Sequence, residues 1–386
     1  DSLATAKPVP PIPHGVDAPL TWHRHDDVID IHTPHYQMTL SERAGGAITR
    51  LTTADGSTPL LAGQSNDLVS YRDSGGLWRM GLEFAGGVWQ ESMRTSTQPT
   101  TIAVAERASG VEVTYQVQLD GETYHHTLWI DATTPVIRCQ VRGKAAPGHS
   151  VVVHLGTGIN SDTLVMDAAG GVVHRPATRV YNPTFWPLYQ FAHLQDTQHG
   201  RGLAVLQPLP GALSYQPDGQ LELIAMRNAN RETAYGFIKL PANPATGYET
   251  ESYAFEYALV CTAQGDWHTN NVDIMARTIP WNPRHDRYPP HMAQTVASLV
   301  TTDNPHVAIT AIKPAAVGTG VIIRVQTLAV PRQPVQISVA HMQAQRAVLC
   351  DAREHELGVL PIHNGIITLH MTGTIATIRI DDGAAQ

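Results

Sequence analysis

The stretch Glu249-Thr250-Glu251-Ser252-Tyr253-Ala254-Phe255-Glu256-Tyr257-Ala258-Leu259-Val260-Cys261-Thr262-Ala263-Gln264-Gly265-Asp266-Trp267-His268 sets Tyr253, Phe255 and Tyr257 in alternation with Ser252, Ala254, Glu256 and Ala258. A two-residue period puts the aromatics on one face and the small or polar residues on the other, the pattern of a β-strand. Gly265 and Asp266 then read as a turn, with the indole of Trp267 behind it.

The same signature recurs outward from this strand. Residues 28–40, 47–52, 101–106, 110–119, 124–130, 136–141, 149–155, 202–206, 221–225 and 252–260 are short runs rich in Val, Ile, Thr and Tyr, bounded by Gly, Pro, Asp or Asn. Asp55-Gly56, Asp120-Gly121 and Asp218-Gly219 are hairpin signals. Between Val16 and Asn282 nothing sustains apolar residues at helical spacing for three turns. Many short strands with tight turns predict an all-β chain of antiparallel sheets packed face to face. One large two-sheet sandwich is expected over 16–290.

A proline-rich crossing follows, with Trp281-Asn282-Pro283 and Tyr288-Pro289-Pro290. Beyond it, runs at 308–312, 320–327, 335–339, 347–350, 365–371 and 375–380 predict a small terminal β-sandwich within 291–386. At the other end, residues 1–15 hold Pro8, Pro10, Pro11 and Pro13 and no apolar core of a signal peptide. They read as a linker, or as the scar of truncation or processing.

At 386 residues the chain can bury a large core, and its net charge of −8 comes with no Lys/Arg block. Nucleic acid and anionic membranes are therefore not expected as partners. No apolar run approaches the roughly 20 residues of a membrane-spanning helix. Cys139, Cys261 and Cys350 are widely spaced, so neither a disulfide framework nor a zinc knuckle is expected. Buried free thiols are the simpler reading; one pair could still bridge in an oxidising compartment, so the compartment stays open, with the cytoplasm slightly favoured.

Four constellations bear on chemistry. His23 and His25 would share one face of a strand, as zinc ligands can, but no complementary ligand is evident, and exposed or hydrogen-bonded histidines are the plainer reading. In Asp73-Ser74-Gly75-Gly76-Leu77-Trp78-Arg79 the glycines permit a sharp bend that would carry the indole of Trp78 to a loop tip, beside Asp73 and Arg79. An indole stacks on the apolar face of a pyranose while carboxylate and guanidinium bind its hydroxyls. The alternative is that Trp78 packs in the core and Asp73 stabilises the turn. Tyr181-Asn182-Pro183-Thr184-Phe185-Trp186-Pro187-Leu188-Tyr189 is a stiff aromatic run; Trp186 would line a sugar groove, or the run covers a sheet edge or an interface to a missing domain. Finally, Glu83, Glu91, Asp162, Asp167, Glu222, Glu249 and Glu251 could supply the carboxylate pair of a glycosidase, but sequence cannot pair them. No nucleophile elbow, P-loop, dinucleotide fingerprint or His-Glu-x-x-His motif occurs.

From about Ile29 to Ile380 the chain resembles the C-terminal β-half of family-38 glycoside hydrolases, the zinc α-mannosidases. His35-Tyr36-Gln37-Met38, Gly45-Gly46-Ala47-Ile48-Thr49-Arg50-Leu51 and Leu60-Leu61 stand where that family opens its β-half. Asp73-Ser74-Gly75-Gly76-Leu77-Trp78 matches its Asp-x-Ser-Gly-x-Tyr element, with Trp in place of Tyr and slightly different spacing. Glu251 to Trp267 matches its late strand ending in Gly-Asp-Trp. Ile309-Thr310-Ala311-Ile312-Lys313-Pro314 and Val321-Ile322-Ile323-Arg324-Val325 match its last motifs, although Gln326-Thr327 replace a usual Tyr-Glu.

The resemblance implies a galactose-mutarotase-like supersandwich followed by a small β-sandwich. It implies a carbohydrate ligand, with Trp78 facing the sugar. It also implies that zinc and the nucleophilic Asp belong to an N-terminal catalytic domain, because the zinc motif His-x-Asp-x-Gly-Trp is absent from this sequence. The expected function is a β-region, not catalytic alone and with no cofactor of its own, that braces that domain. The sugar-contacting residues expected are Asp73, Trp78, Arg79 and Trp186. The alternatives are a stand-alone carbohydrate-binding or mutarotase-like protein, and a lyase or hydrolase working from the supersandwich alone.

Overall fold

A computed structural model of the chain describes residues 20–76, 79–177, 185–216, 218–229, 231–234, 238–241, 251–279, 281, 298–339, 342 and 344–381. They form an all-β protein of antiparallel sheets, as the period-2 runs predict. The expected linker (1–15) and the expected boundary at 290/291 lie outside the described residues, as do Leu77 and Trp78. The chain divides into two compact units: residues within 14–166 and 174–272, and residues within 167–173 and 273–386. No helix of the described residues is long and apolar enough to cross a membrane.

The larger unit is built from a ten-stranded and a nine-stranded sheet. Strand Tyr253–Ala263 lies inside the nine-stranded sheet, between Val136–Gly143 and Arg201–Leu206. Its aromatic face points inward: the Tyr257 ring is fully buried and its hydroxyl donates to the side chain of Asn66 in the ten-stranded sheet. Trp267 closes this end against Phe191, with ring centres 5.6 Å apart. The Asp120-Gly121 hairpin has positive φ at both residues, 48° and 83°, the backbone that a two-residue turn between twisted strands requires.

In the ten-stranded sheet, strands Ser65–Asp73, His149–Gly156, Gln220–Asn228 and Gly211–Tyr215 run side by side. Their register aligns Leu68, Val153, Leu223 and Leu213 in one fully buried row. Trp186 in strand Phe185–Leu188 is aligned with Leu213 and shares that face. Arg175, from the nine-stranded sheet, lies 4.3 Å over its ring, so this face looks into the sandwich. The opposite face carries Val69, Val152 and Phe185, covered by Met80, Leu82 and Trp89 from the segment 74–89.

The smaller unit is a second sandwich. Strands Ala308–Pro314, Val321–Gln326, Ile375–Asp381, Arg346–Cys350 and Glu356–Leu360 make one sheet, and Thr301–Thr302, Val335–Ser338, Ile366–Leu369 and Ile362–His363 the other. Their common core includes Ile323, Val325, Ile337, Ile367, Leu369 and Ile378. A two-turn helix, Val272–Thr278, lies ahead of it in the chain. All three cysteines are free thiols, and burial pushes Cys139 up to about 12.

Candidate functional site

Asp73 ends strand Ser65–Asp73, and the chain then leaves the sheet as a loop that returns at Trp89. The carboxylate is buried and spends its acceptor positions inside the protein. Oδ1 accepts the N–H groups of Gly75 (2.9 Å) and Gly81 (2.7 Å). Oδ2 accepts Ser150 Oγ (2.8 Å) and Arg227 Nε (2.7 Å). The Arg227 guanidinium reaches further, donating to the carbonyl of Arg79 at 2.8 Å. Both glycines are required by close approach: a Cβ on Gly75 would meet the Arg79 carbonyl oxygen at 2.1 Å, and one on Gly81 the Val88 carbonyl oxygen at 1.8 Å.

The expected site residues therefore separate. Asp73 organises the loop and has no acceptor position left over for a hydroxyl. The Arg79 guanidinium lies over the Phe84 ring, 5.2 Å from its centre. Trp78, between them in sequence, lies outside the described residues. Trp186 is on the inward face of the ten-stranded sheet, whereas Asp73 shares the outward face with Tyr71 and Val69, so the register does not bring the two together. Of the aromatic run, Tyr181 to Thr184 lie outside the described residues.

A second constellation on the outward face holds two of the seven candidate carboxylates, Glu222 and Glu91, with partners, Asp67, His154 and Tyr71, that sequence reasoning does not single out. The register aligns Asp67, His154, Glu222 and Ser214 in a row one residue away from the leucine row. His154 Nδ1 is 2.9 Å from Asp67 Oδ1, and its Nε2 is 3.0 Å from Gln220 Oε1. Gln220 is oriented by its own Nε2–H, which donates to Asp218 at 2.9 Å. With an acceptor at each ring nitrogen, His154 is arranged to carry both protons. Burial pulls its pKa down, but the hydrogen bond and charge of Asp67 outweigh that, and the net shift is upward.

Asp67 itself is pushed up by burial and drawn down further by His154, Ser96 and Arg94, so it stays ionised. Arg94 also takes both oxygens of Glu91, at 3.1 Å each. Beside them the Tyr71 hydroxyl donates to Glu222 Oε1 at 2.5 Å. Burial raises the Glu222 pKa, more than the Tyr71 bond and the charges of His154 and Arg94 lower it. The Tyr71 ring stacks on Trp89 (4.7 Å, 15°), and Trp89 meets Phe185 edge-on at 5.6 Å. A carboxyl and an imidazole, both with raised pKa, thus share one sheet face with an aromatic stack, an arrangement that can exchange protons.

Among the described residues no three His, Cys, Asp or Glu side chains gather as a metal site. The His23 and His25 rings are 6.2 Å apart on an exposed edge strand.

No protein-family model matches the sequence, and no curated protein does. Solved structures do match. An α-mannosidase from Enterococcus faecalis V583 is similar over 91% of this chain and 42% of its own, with a TM-score of 0.69 at 13% identity. A protein in glycosyl hydrolase family 38 from Enterococcus faecalis is similar over 91% and 44%, again with a TM-score of 0.69, at 14% identity. The likeness is one of fold. The chain spans less than half the length of either protein. A galactose mutarotase-like protein from Clostridium acetobutylicum follows loosely, with a TM-score of 0.38 over 64% of this chain.

Proposed function

We propose that this chain is the carbohydrate-associated β-region of an α-mannosidase-like glycoside hydrolase. In this reading it is not catalytic alone. It braces a zinc-bearing catalytic domain outside this chain, and the loop after Asp73 lines the sugar subsite. The observation that carries the reading is the shared fold over 91% of this chain with a protein named an α-mannosidase, of which it spans 42%. The Asp73-Ser74-Gly75-Gly76 element adds to it, since its carboxylate fixes the backbone on both sides of Trp78. The chain alone, assayed on aryl α-mannosides with added zinc, is expected to give no sustained turnover. Sustained turnover would defeat this reading.

A second reading, a stand-alone mutarotase-like protein acting on free sugars, is favoured by Glu222 and His154 lying cross-strand on one face. Ring opening of a hexopyranose needs one group to take the proton from O1 while another gives a proton to O5, and reclosure returns both. Glu222 and His154 would share those roles. Anomer interconversion followed by NMR exchange on free galactose and glucose separates the readings: acceleration lost in Glu222→Gln supports the second, and an unaccelerated rate removes it.

A further inference from the structure

We propose that Arg175 and Trp186 form a binding site for an oxoanion, the carboxylate or phosphate group of a ligand, at one edge of the larger sandwich. The proposal goes beyond the function proposed above and does not rest on it. Arg175 lies in strand Gly171–Pro176, which ends the nine-stranded sheet, and Trp186 in strand Phe185–Leu188, which ends the ten-stranded sheet. The guanidinium carbon stands 4.3 Å from the centre of the indole, and both side chains stay partly exposed. Arg175 Nε and Trp186 Nε1 are nevertheless buried, and neither has a hydrogen-bond partner among the described residues. Both groups only donate, so what they call for is an acceptor.

The chain supplies no counter-charge there. No Asp or Glu occurs in sequence between Asp167 and Asp196. Asp196 is taken by His199 and Arg201, and among the described residues Arg175 enters no ion pair. A second arginine–tryptophan stack in the same chain serves as the control. Arg138 lies 5.5 Å from the centre of Trp129. That indole N–H donates to Glu112 at 3.0 Å, and Asp131 and Glu256 place negative charge beside Arg138. The chain completes one stack with its own carboxylates and leaves the other without any. Cation–π attraction accounts for the contact between Arg175 and Trp186, but not for two donors taken out of water and left unspent. An oxoanion brings several acceptor oxygens and the neutralising charge together, which a neutral hydroxyl does not, and guanidinium is the side chain best matched to it.

The test reads the indole N–H signal of Trp186 by NMR in the full chain carrying nitrogen-15 tryptophan. Among the seven tryptophans it is the signal lost in Trp186→Phe, and Trp129→Phe identifies the control in the same way. Sodium phosphate and, separately, sodium acetate are titrated in, with sodium chloride holding the ionic strength constant. The Trp186 signal is expected to shift to saturation while the Trp129 signal stays in place, and the anion that saturates at the lower concentration tells a phosphate ligand from a carboxylate one. Arg175→Gln, which removes the charge, is expected to weaken binding about tenfold or more. Arg175→Lys keeps a charge over the ring but loses the planar donor; it is expected to weaken binding about threefold, and it decides the matter if Arg175→Gln does not fold. No saturable shift with either anion overturns the proposal. So does a shift that chloride alone reproduces, a wild-type response in the folded Arg175 variants, or a response to methyl α-mannoside with none to the anions.

Discussion

Two rows cross the same four strands of the ten-stranded sheet, one residue apart. Leu68, Val153, Leu223 and Leu213 face into the sandwich; Asp67, His154, Glu222 and Ser214 face out. Both rows are buried. The inner row stabilises by removing apolar surface from water, at roughly 25 cal/mol per Å². The outer row has to offset the desolvation of several charges, and a buried ion pair is often no better for stability than a hydrophobic one of the same shape. An ordinary sandwich leaves its outward residues polar and wet. Here they are enclosed, paired and oriented, and stability alone does not account for that. The inner row is what folding alone requires; the outer row is the one that the proposed proton exchange would use.

The strongest way to break that division is to cut both rows. Leu223→Ala is expected to cost about 2–5 kcal/mol through transfer and cavity terms. Asp67→Ala is expected to cost about 3–5 kcal/mol, because the buried His154 loses its carboxylate partner, Ser96 loses its acceptor, and Arg94 is left with Glu91 alone. The two losses differ in remedy. Adding His154→Leu should recover part of the Asp67→Ala loss and none of the Leu223→Ala loss, as read from urea midpoints. An Asp67→Ala loss below about 1 kcal/mol would mean the outer network is not held as described.

Acidity sharpens the same contrast. The nine-stranded sheet holds two buried histidines: burial lowers His126, stacked on Tyr115, to about 3, and His193 to about 4. The unfolded chain takes up protons at pH 6.5 that these folded residues refuse. Their stabilisation is therefore present above that pH and lost as pH falls toward their folded values, at about 2 kcal/mol each by about pH 5. His154 on the outer row has the opposite sign: its raised folded pKa gives stability that is full below pH 6.5 and lost as pH rises through the folded value. His126→Phe should remove close to half of the acid loss attributed to the two core histidines. Unfolding curves for that variant with the wild-type acid slope would break the argument.

How far the chain could be read from its sequence follows from the same two rows. Strand Tyr253–Ala263 and the Asp120-Gly121 turn are visible because the period and the turn chemistry are local. Strand Ser65–Asp73 is not: it is buried on both faces for most of its length, so no alternation marks it, and Ser65, Asn66 and Asp67 are poor strand formers. The glycine-rich loop points to Asp73 and Arg79, but the partners Ser150 and Arg227 come 77 and 154 residues after Asp73. Whether such residues meet depends on cross-strand register, which here shifts at Val151/Val152 and at His154/Leu155. One residue of slip would exchange Glu222 for Leu223 on the outward face. The carboxylate that matters thus looks, in sequence, like any of the seven considered.

Glu222→Gln is the smallest change and the most discriminating. Glutamine keeps an oxygen for the Tyr71 hydroxyl and fills the same space, but it cannot ionise. Because burial raises the Glu222 pKa, the wild-type carboxyl loses stability as pH rises from its unfolded value near 4.5 through its folded value. The variant should match or exceed wild-type stability at about pH 7, within roughly 1 kcal/mol, and its stability should fall less between about pH 5 and pH 8. A residue that can be neutralised without loss is not held there by the fold alone; Tyr71, His154 and Arg94 favour its ionised form against the burial that raises its pKa. A loss of more than about 2 kcal/mol at pH 7 would put Glu222 with Leu223, as a structural residue, and leave the outer row without its acid.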